Sequence, residues 1–360
     1  MSSATPRRLA LAALVLVAAV ATAGAAPAPA AKKPNPLTAL IAQSKKESGL
    51  VFYGNPPAAN FNVLLGRFKA RYSWIKTTAY DLEDNTIFSK YASEASQGAR
   101  TADMLIASAP NLWVYAARNG YPKSYTPTGL AKFPKFVKQL KGVYVMSPDP
   151  AIIVYNKVVL SGKAPPASVT AIANNASSYG KVTGYTVDNT FGYTGLWGYV
   201  QKKGWANFRK IGRRLTPQTG VAGQLQLVAQ GGAVAAYLTS PTARFRIAND
   251  ANLGRLLAWS YVRDAEPLIP RGIAVTAKAK SPASAKLFLN FIYSKAGQQA
   301  MCDAGFTAFQ TGFKPSGGCK NTLAEVYRRV GRKNVIFVPF SKKFVNDRPK
   351  FARTWHSIFG

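Results

Sequence analysis

The stretch SGLVFYGNPPAANFNVLLGRFKARY, residues 48–72, decides how the rest of the chain is read. Leu50-Val51-Phe52-Tyr53 is a short unbroken apolar run, the pattern of a strand buried on both faces. Pro56-Pro57 pre-set the backbone for a helix start. Phe61, Leu64, Leu65, Phe68 and Tyr72 then recur at helical spacing, which predicts an amphipathic helix with one buried face.

The same order recurs outward from this unit. A helix is expected at Leu37 to Glu47, a strand at Ile75 to Ala79, a helix from Asp84 to Gln97, a strand at Asp103 to Ala107 and a helix opening near Pro110. Repeated strand-loop-helix wiring builds a mostly parallel sheet with helices on both faces, and such sheets bind ligands at the carboxyl ends of their strands. A second unit begins after Ser147-Pro148-Asp149-Pro150, which joins the extended runs Val143 to Met146 and Ala151 to Tyr155. It carries strands at Val182 to Tyr185 and Ala233 to Leu238, with a helix from about Gly195 to Ile211 between them. Leu256 to Val262, a connector at Pro267 to Pro270 and Ile273 to Thr276 read as a return crossing into a helical stretch from Pro282 to Ala304. The expected fold class is therefore α/β in two lobes, each a mostly parallel sheet flanked by helices, joined by crossing hinge strands.

Arg7 and Arg8 precede an apolar run from Leu9 to Val20, and small residues follow to Ala31, which is the pattern of a signal peptide over residues 1–31. The run is short for a membrane span, and no Cys follows it to carry a lipid. Residues 32–36 read as a tether, since Ala, Pro and Lys bury too little apolar surface to fold. Cys302 and Cys319, the two cysteines of the chain, are expected to form one disulfide in an oxidising compartment, the alternative being two buried thiols.

Charge sets the chain apart. Its 47 Lys and Arg oppose 14 Asp and Glu, a net of +33; without Arg7 and Arg8 the net is +31. Such a field attracts polyanions. The basic residues are spread along the chain, not gathered into a nucleic-acid-reading motif, and export argues against that partner as well. Anionic cell-envelope polymers or headgroups are the expected counterpart of the basic surface. A hydrolase wants a nucleophile with its base, a carboxylate pair or a metal-activated water. With 14 acids, one His and no GxSxG, HExxH or P-loop, the chain is read as non-catalytic and without a cofactor.

Several segments, in order and spacing, match a known family: Ser48 to Gly54, the helix end Phe68-Lys69-Ala70-Arg71-Tyr72, Thr101 to Leu105, Ile153 to Lys157, Ala285 to Gln299 and the closing Trp355 to Gly360. From about Ser48 onward the chain resembles the substrate-binding proteins of ATP-binding-cassette importers with the type II periplasmic binding fold, especially the branch of ferric-iron and phosphonate binders. The resemblance implies lobe 1 over 37–147, lobe 2 over 148–265, a return to lobe 1 over 266–308 and a C-terminal helical segment over 309–360 packed on the lobes. It also implies an exported, monomeric protein that closes on a small solute and presents it to a membrane-embedded ABC permease.

Closure is explained only if the ligand touches both lobes, so site residues belong just beyond strand ends or at helix starts. In lobe 1 this selects Tyr53, Gly54, Asn55, Ser108, Ala109 and Asn111. In lobe 2 it selects Asp188, Asn189, Thr190, Phe191, Gly192, Tyr193, Tyr237, Thr239 and Ser240. Each has a plainer reading as a turn, cap or core residue. Unpaired N–H groups at helix starts favour an oxyanion or a polyhydroxylated anion. A ferric site of the resembling branch uses tyrosinates, commonly an adjacent pair; here there is no Tyr-Tyr pair, Tyr237 stands alone and the single His356 lies near the C-terminus. No metal ligand is therefore assigned, although a carried iron chelate or an envelope-adhesion role remains an alternative.

Overall fold

The computed structural model describes residues 1–2 and 36–360. The expected signal peptide, beyond its first two residues, and most of the tether lie outside the described residues. The remainder of the chain, Pro36–Gly360, is one compact unit.

Lobe 1 begins with α1 (Pro36–Ser44), β1 (Leu50–Gly54), α2 (Ala58–Arg71), β2 (Thr77–Asp81), α3 (Asp84–Ser96), β3 (Met104–Ala107) and α4 (Pro110–Arg118). The chain continues through β4 (Lys138–Leu140) and β5 (Val143–Pro150) into lobe 2. There it forms β6 (Ile152–Asn156), α5 (Val169–Asn174), α6 (Ala176–Tyr179), β7 (Val182–Tyr185), α7 (Thr190–Lys203), α8 (Ala206–Ile211), β8 (Leu215–Gln218), α9 (Val221–Ala229), β9 (Ala235–Thr239), α10 (Thr242–Asn249), α11 (Ala251–Leu256) and β10 (Leu257–Tyr261). It returns through β11 (Glu266–Val275) to α12 (Pro282–Ile292) and α13 (Lys295–Asp303), and ends with α14 (Leu323–Val330), β12 (Val335–Phe337) and α15 (Lys342–Phe359).

One sheet has the order β2-β1-β3-β11-β5-β4, with β12 added against β11; the other has the order β10-β6-β9-β7-β8. The expectation of mostly parallel sheets is corrected to partly parallel ones. The trios β2-β1-β3 and β8-β7-β9 are parallel, as strand-helix-strand units require. The pairs β3-β11, β11-β5, β10-β6 and β6-β9 are antiparallel, because the strands that leave and re-enter each lobe lie beside one another in opposite directions.

Other expectations shift for local reasons. The helix drawn from Gly195 to Ile211 starts five residues earlier and divides at Gly204, whose φ of +63° ends α7. The stretch from Pro282 to Ala304 divides at Ser294, which caps α13 by accepting from the Gly297 N–H. Pro267 to Pro270 is not a connector but part of β11, with Leu268 to Pro270 paired against Pro148 to Pro150 of β5 and the register shifting only beyond them, between Arg271 and Gly272. The C-terminal segment is not wholly helical, since β12 pairs with β11. Cys302 and Cys319 are joined, with their Cα atoms 6.1 Å apart.

The apolar pattern of the opening stretch becomes the lobe 1 core. Phe288 of α12 meets Phe52, Phe61 and Phe68 edge to face at 4.8, 6.4 and 5.0 Å, and such pairs add about 0.5–1.5 kcal/mol each beyond burial. Lobe 2 is closed by α15, whose Phe344 and Phe351 rings lie 4.6 and 5.3 Å from Tyr193. α15 also packs on α4 of lobe 1, so the last helix bridges the lobes.

Candidate functional site

Both parallel trios present their carboxyl ends to the junction between lobes. From lobe 1 come the ends of β1 and β3 and the starts of α3 and α4; from lobe 2 come the end of β9 and the start of α7. The lobes are in contact there. A Cβ built on Gly305 would lie 2.8 Å from Asn60 Nδ2 of lobe 1 and 3.4 Å from Phe245 Cβ of lobe 2. The Thr190 side chain, on the first residue of α7, faces the Asp84 carboxyl at the first turn of α3 and lowers its pKa.

The lobe 1 wall is a charged network. Arg271 of β11 is 3 % exposed, donating from Nη1 to Asn55 Oδ1 at 2.7 Å and from Nε to Asp149 Oδ2 at 3.3 Å. Asn55 in turn donates to Asp84, and Asp149 accepts from the Ser147 hydroxyl, whose oxygen receives the Thr307 N–H. Burial pushes the Asp84 carboxyl up to about 6, against the opposing pull of Arg271; Arg348 of α15 pulls the same way as Arg271. Burial likewise raises the Asp149 carboxyl, with Arg271 the chief opposing charge. Asp81, at the end of β2, is raised by burial and by Glu83, while Arg271 and Arg246 of α10 lower it. Arginines from both lobes and α15 therefore surround a small set of carboxylates.

The lobe 2 wall sets one cation, Arg246, beside neutral hydroxyls, and its backbone is strained. The pairing of β6 with β9 shifts by one residue between Ile152 and Val154, and Leu238 takes a φ of 50°, the one non-glycine residue among those described with positive φ. A left-handed conformation is costly for a leucine and clusters at functional sites. The bulge sets the direction of the strand end that carries Thr239 and Ser240. Asn189 caps α7, accepting from the Gly192 N–H at 2.8 Å.

Four buried side-chain atoms find no protein partner among the described residues: Ser108 Oγ and Asn111 Oδ1 where β3 passes into α4, Thr307 Oγ1 beyond α13, and Thr239 Oγ1 at the end of β9. The first three come from lobe 1 and the last from lobe 2. An unpaired buried polar atom costs about 1–3 kcal/mol, so each of them calls for a further hydrogen-bonding partner.

Of the expected site residues, Asn55 follows β1, Ser108 and Asn111 follow β3, Thr190 opens α7, Thr239 ends β9 and Ser240 comes next, with Ser240 Oγ 3.0 Å from Thr242 Oγ1. Ala109 is buried as the cap of α4. Gly54 borders a 60 Å³ cavity with Pro56 and Asp81. Others have structural roles instead. Tyr53 donates to Glu94, and Tyr193 donates to the Phe344 carbonyl inside the lobe 2 core. Tyr237 is packed between Gly184 and Phe208, and burial drives its phenol far above the ordinary range. Phe191 packs on Tyr185, and Gly192 permits close approach, since a Cβ there would lie 2.4 Å from Tyr185 Cβ. Asp188 is exposed and its carbonyl accepts from Arg348, while Asn189 is the α7 cap.

Reading the sequence by strand ends missed Asp84, Asp149, Arg271, Thr307 and Arg348. Two left a signal. Arg271 is the lone charge in the apolar run Leu268 to Val275, and Asp149 lies between two prolines in an extended run. Thr307 and Arg348 reach the junction from segments far along the chain, without a local pattern. Among the described residues, no group of three or more His, Cys, Asp or Glu is placed to hold a metal ion, and no helix is long and apolar enough to cross a membrane.

Residues 67–321 match the model of a bacterial extracellular solute-binding protein family. No curated protein matches the chain. Among solved structures, the substrate-binding protein of the ABC transporter from Agrobacterium tumefaciens is similar, with a TM-score of 0.75 and 19 % identity over 89 % of this chain and 97 % of that one. The periplasmic binding protein AfuA from Actinobacillus pleuropneumoniae, with fructose-6-phosphate bound, gives a TM-score of 0.67 at 16 % identity over 86 % of this chain and 98 % of that one. Iron-bound HitA from Pseudomonas aeruginosa gives 0.67 at 16 % identity over 86 % and 99 %. The chain belongs to the bacterial extracellular solute-binding family and has the fold of periplasmic binding proteins.

Proposed function

We propose that this family member is a non-catalytic, exported receptor that closes its lobes on a small polyhydroxylated oxyanion and delivers it to a membrane-embedded ABC permease. The observation that carries this reading is the set of unpaired buried atoms drawn from both lobes: Ser108 Oγ, Asn111 Oδ1, Thr307 Oγ1 and Thr239 Oγ1. A ligand that satisfies atoms of both lobes at once binds the closed arrangement better than the open one, which is what closure requires. Hydroxyl groups on the ligand suit the lone acceptor Asn111 Oδ1 together with the three threonine and serine hydroxyls, which can donate or accept. An acidic group suits Arg271, Arg246 and Arg348, and the positive field of the whole chain speeds its arrival.

Thermal denaturation across phosphonates, sugar phosphates, carboxylates, neutral sugars and ferric ion tests the reading. A ligand that binds only the folded state at a hundred times its Kd adds about 2.7 kcal/mol of stability. Stabilisation by a hydroxylated oxyanion, weakened by Ser108→Ala and by Thr239→Val, is expected. Stabilisation by ferric ion or a neutral sugar alone, or indifference to both substitutions, would overturn it.

A further inference from the structure

A second cavity, of 360 Å³, is separate from the residues assigned to the cleft. One wall comes from lobe 2: Arg244 of α10, then Trp259, Tyr261 and Arg263 on and just after β10. The other comes from the segment that follows the disulfide, through Lys320 and Arg329. That segment is fastened to lobe 1. Cys319 is bonded to Cys302, Asn321 Nδ2 donates to the Cys302 carbonyl, and Leu323 N–H donates to the Ala308 carbonyl. The cavity therefore spans the two lobes beside the return crossing.

Its chemistry is lopsided. Glu325 is the single acid among the lining residues, and it is already occupied, accepting from Arg328 and Arg329 and held down to about 2 chiefly by the Arg328 hydrogen bond. Arg263 and Lys320 border the opening, and neither side chain makes a hydrogen bond or ion pair among the described residues. Arg244 is only 7 % exposed. It donates from Nε to the Pro241 carbonyl and from Nη1 to Tyr261 Oη, and its guanidinium lies 5.1 Å from the Trp259 ring centre and 5.9 Å from that of Tyr261. Its Nη2 is buried and has no partner among the described residues. A guanidinium fixed by two hydrogen bonds and two rings, with donors to spare, Arg263 beside it and Lys320 on the opposite wall, is preorganised for an oxygen anion.

We infer that this flank is a second, independent binding site for a small oxyanion, phosphate or carboxylate, whose occupant links lobe 2 to the disulfide-anchored segment of lobe 1. Because its walls belong to different lobes, an occupant favours the closed arrangement and acts in the same direction as the solute in the cleft. Asp149, which pairs with Arg271 in the cleft network, also lies within the electrostatic reach of Arg244, so one buried carboxylate neighbours both sites.

The test uses the full exported chain and inorganic phosphate, followed by intrinsic tryptophan fluorescence and repeated with acetate. Trp259→Phe identifies the part of the signal that comes from this cavity. The expected result is a saturable, salt-sensitive change that disappears in Trp259→Phe, weakens at least about tenfold in Arg263→Ala/Lys320→Ala, and survives Ser108→Ala and Thr239→Val. Arg263 and Lys320 hold no other side chain in place, so their replacement leaves folding intact; Arg244→Lys, which keeps the charge but loses the fork, should weaken phosphate more than acetate. A fluorescence change indifferent to Arg263→Ala/Lys320→Ala, or none dependent on Trp259, overturns the second site without touching the cleft. Loss of the signal in Ser108→Ala would instead place the phosphate in the cleft and also overturn it.

Discussion

The two walls of the interlobe junction solve the same problem by different means. Lobe 1 presents a charged network: Arg271, Asn55, Asp84 and Asp149 hold one another in a hydrogen-bonded chain, with Arg271 at the register shift of β11 against β5. Lobe 2 presents chiefly hydroxyls, with Arg246 beside them and Leu238 in a left-handed conformation just before Thr239. A charged group can be buried only where partners are fixed in advance, which favours the continuous strands β5 and β11 as its platform. A hydroxyl tolerates solvent and protein alike, so it suits the wall that moves away on opening. On the proposed function, the difference gives lobe 1 most of the charge recognition and lobe 2 most of the hydroxyl contacts.

The largest expected effect tests the platform. Asp149→Ala leaves the Arg271 guanidinium buried beside an empty place, and removing one partner of a buried pair costs about 3–5 kcal/mol. Urea denaturation of the purified protein measures it. The double replacement Arg271→Met/Asp149→Leu should recover most of that stability while abolishing ligand-induced stabilisation. If Asp149→Ala is as stable as the parent, the lobe 1 wall is not held by this pair and the contrast between walls collapses.

Next in size is the disulfide, which fastens the segment carrying Thr307 to the lobe 1 side. Its loop spans a separation of 17 residues, and a link of that length contributes about 2–4 kcal/mol. Cys302→Ser/Cys319→Ser should lower the denaturation midpoint by that amount and also weaken the solute, because Thr307 loses its fixed place. Thiol labelling of the unreduced, denatured parent should find no reactive thiol.

The lobe 2 wall is probed by Gly192→Ala. The added Cβ would lie 2.4 Å from Tyr185 Cβ and 2.5 Å from the Thr186 carbonyl oxygen, and overpacking of this kind costs about 1–3 kcal/mol. Since α7 must shift to make room, Thr190 leaves Asp84, and ligand affinity should fall along with stability. A variant that loses stability and keeps full affinity would show that the start of α7 is scaffold only.

Sequence reasoning reached the scaffold of this contrast more readily than its substance. The apolar run Leu50 to Tyr53 and the helical spacing of Phe61, Leu64, Leu65 and Phe68 follow from burial on one lobe, a local and periodic demand, and the structure has both elements where the pattern places them. Strand ends are also legible, which is why Ser108, Asn111, Thr190 and Thr239 were nameable. The direction of a side chain at a strand end is another matter. Tyr53 sits at the end of β1 and Tyr237 two residues before Thr239 on β9, yet one donates to Glu94 and the other packs on Phe208; alternation alone would put Tyr237 and Thr239 on one face, and the positive φ of Leu238 between them breaks it. Arg271 and Arg348 escape for the opposite reason: the return crossing and the last helix bring them to the junction from more than two hundred residues beyond β1, a distance no local pattern spans.

The smallest effect sharpens the contrast by pH. Asp84 is the point where the walls touch, through Thr190, and it faces Asn55, Arg271, Arg348 and Glu83. Burial, the largest cause, raises its carboxyl to about 6 from the usual 3.8. Between those values the folded state holds the proton that the unfolded chain has released, so the contribution of this group is fully present below about pH 4 and is lost as the pH rises through about 6. Asp81, Asp149 and Glu266 are shifted in the same direction, which makes the difference between two proteins, and not the slope of one, the quantity to read. Asp84→Asn should therefore gain stability relative to the parent as the pH climbs from about 4 to about 7, and the two melting curves should converge at the acidic end. The same charge opposes an oxyanion in the cleft, so anion affinity should fall with rising pH in the parent and fall less in Asp84→Asn. Parallel melting curves for the two proteins would mean that Asp84 titrates as an ordinary surface carboxylate, leaving Arg271 and Asp149 as the part of the lobe 1 wall that is truly sealed by closure.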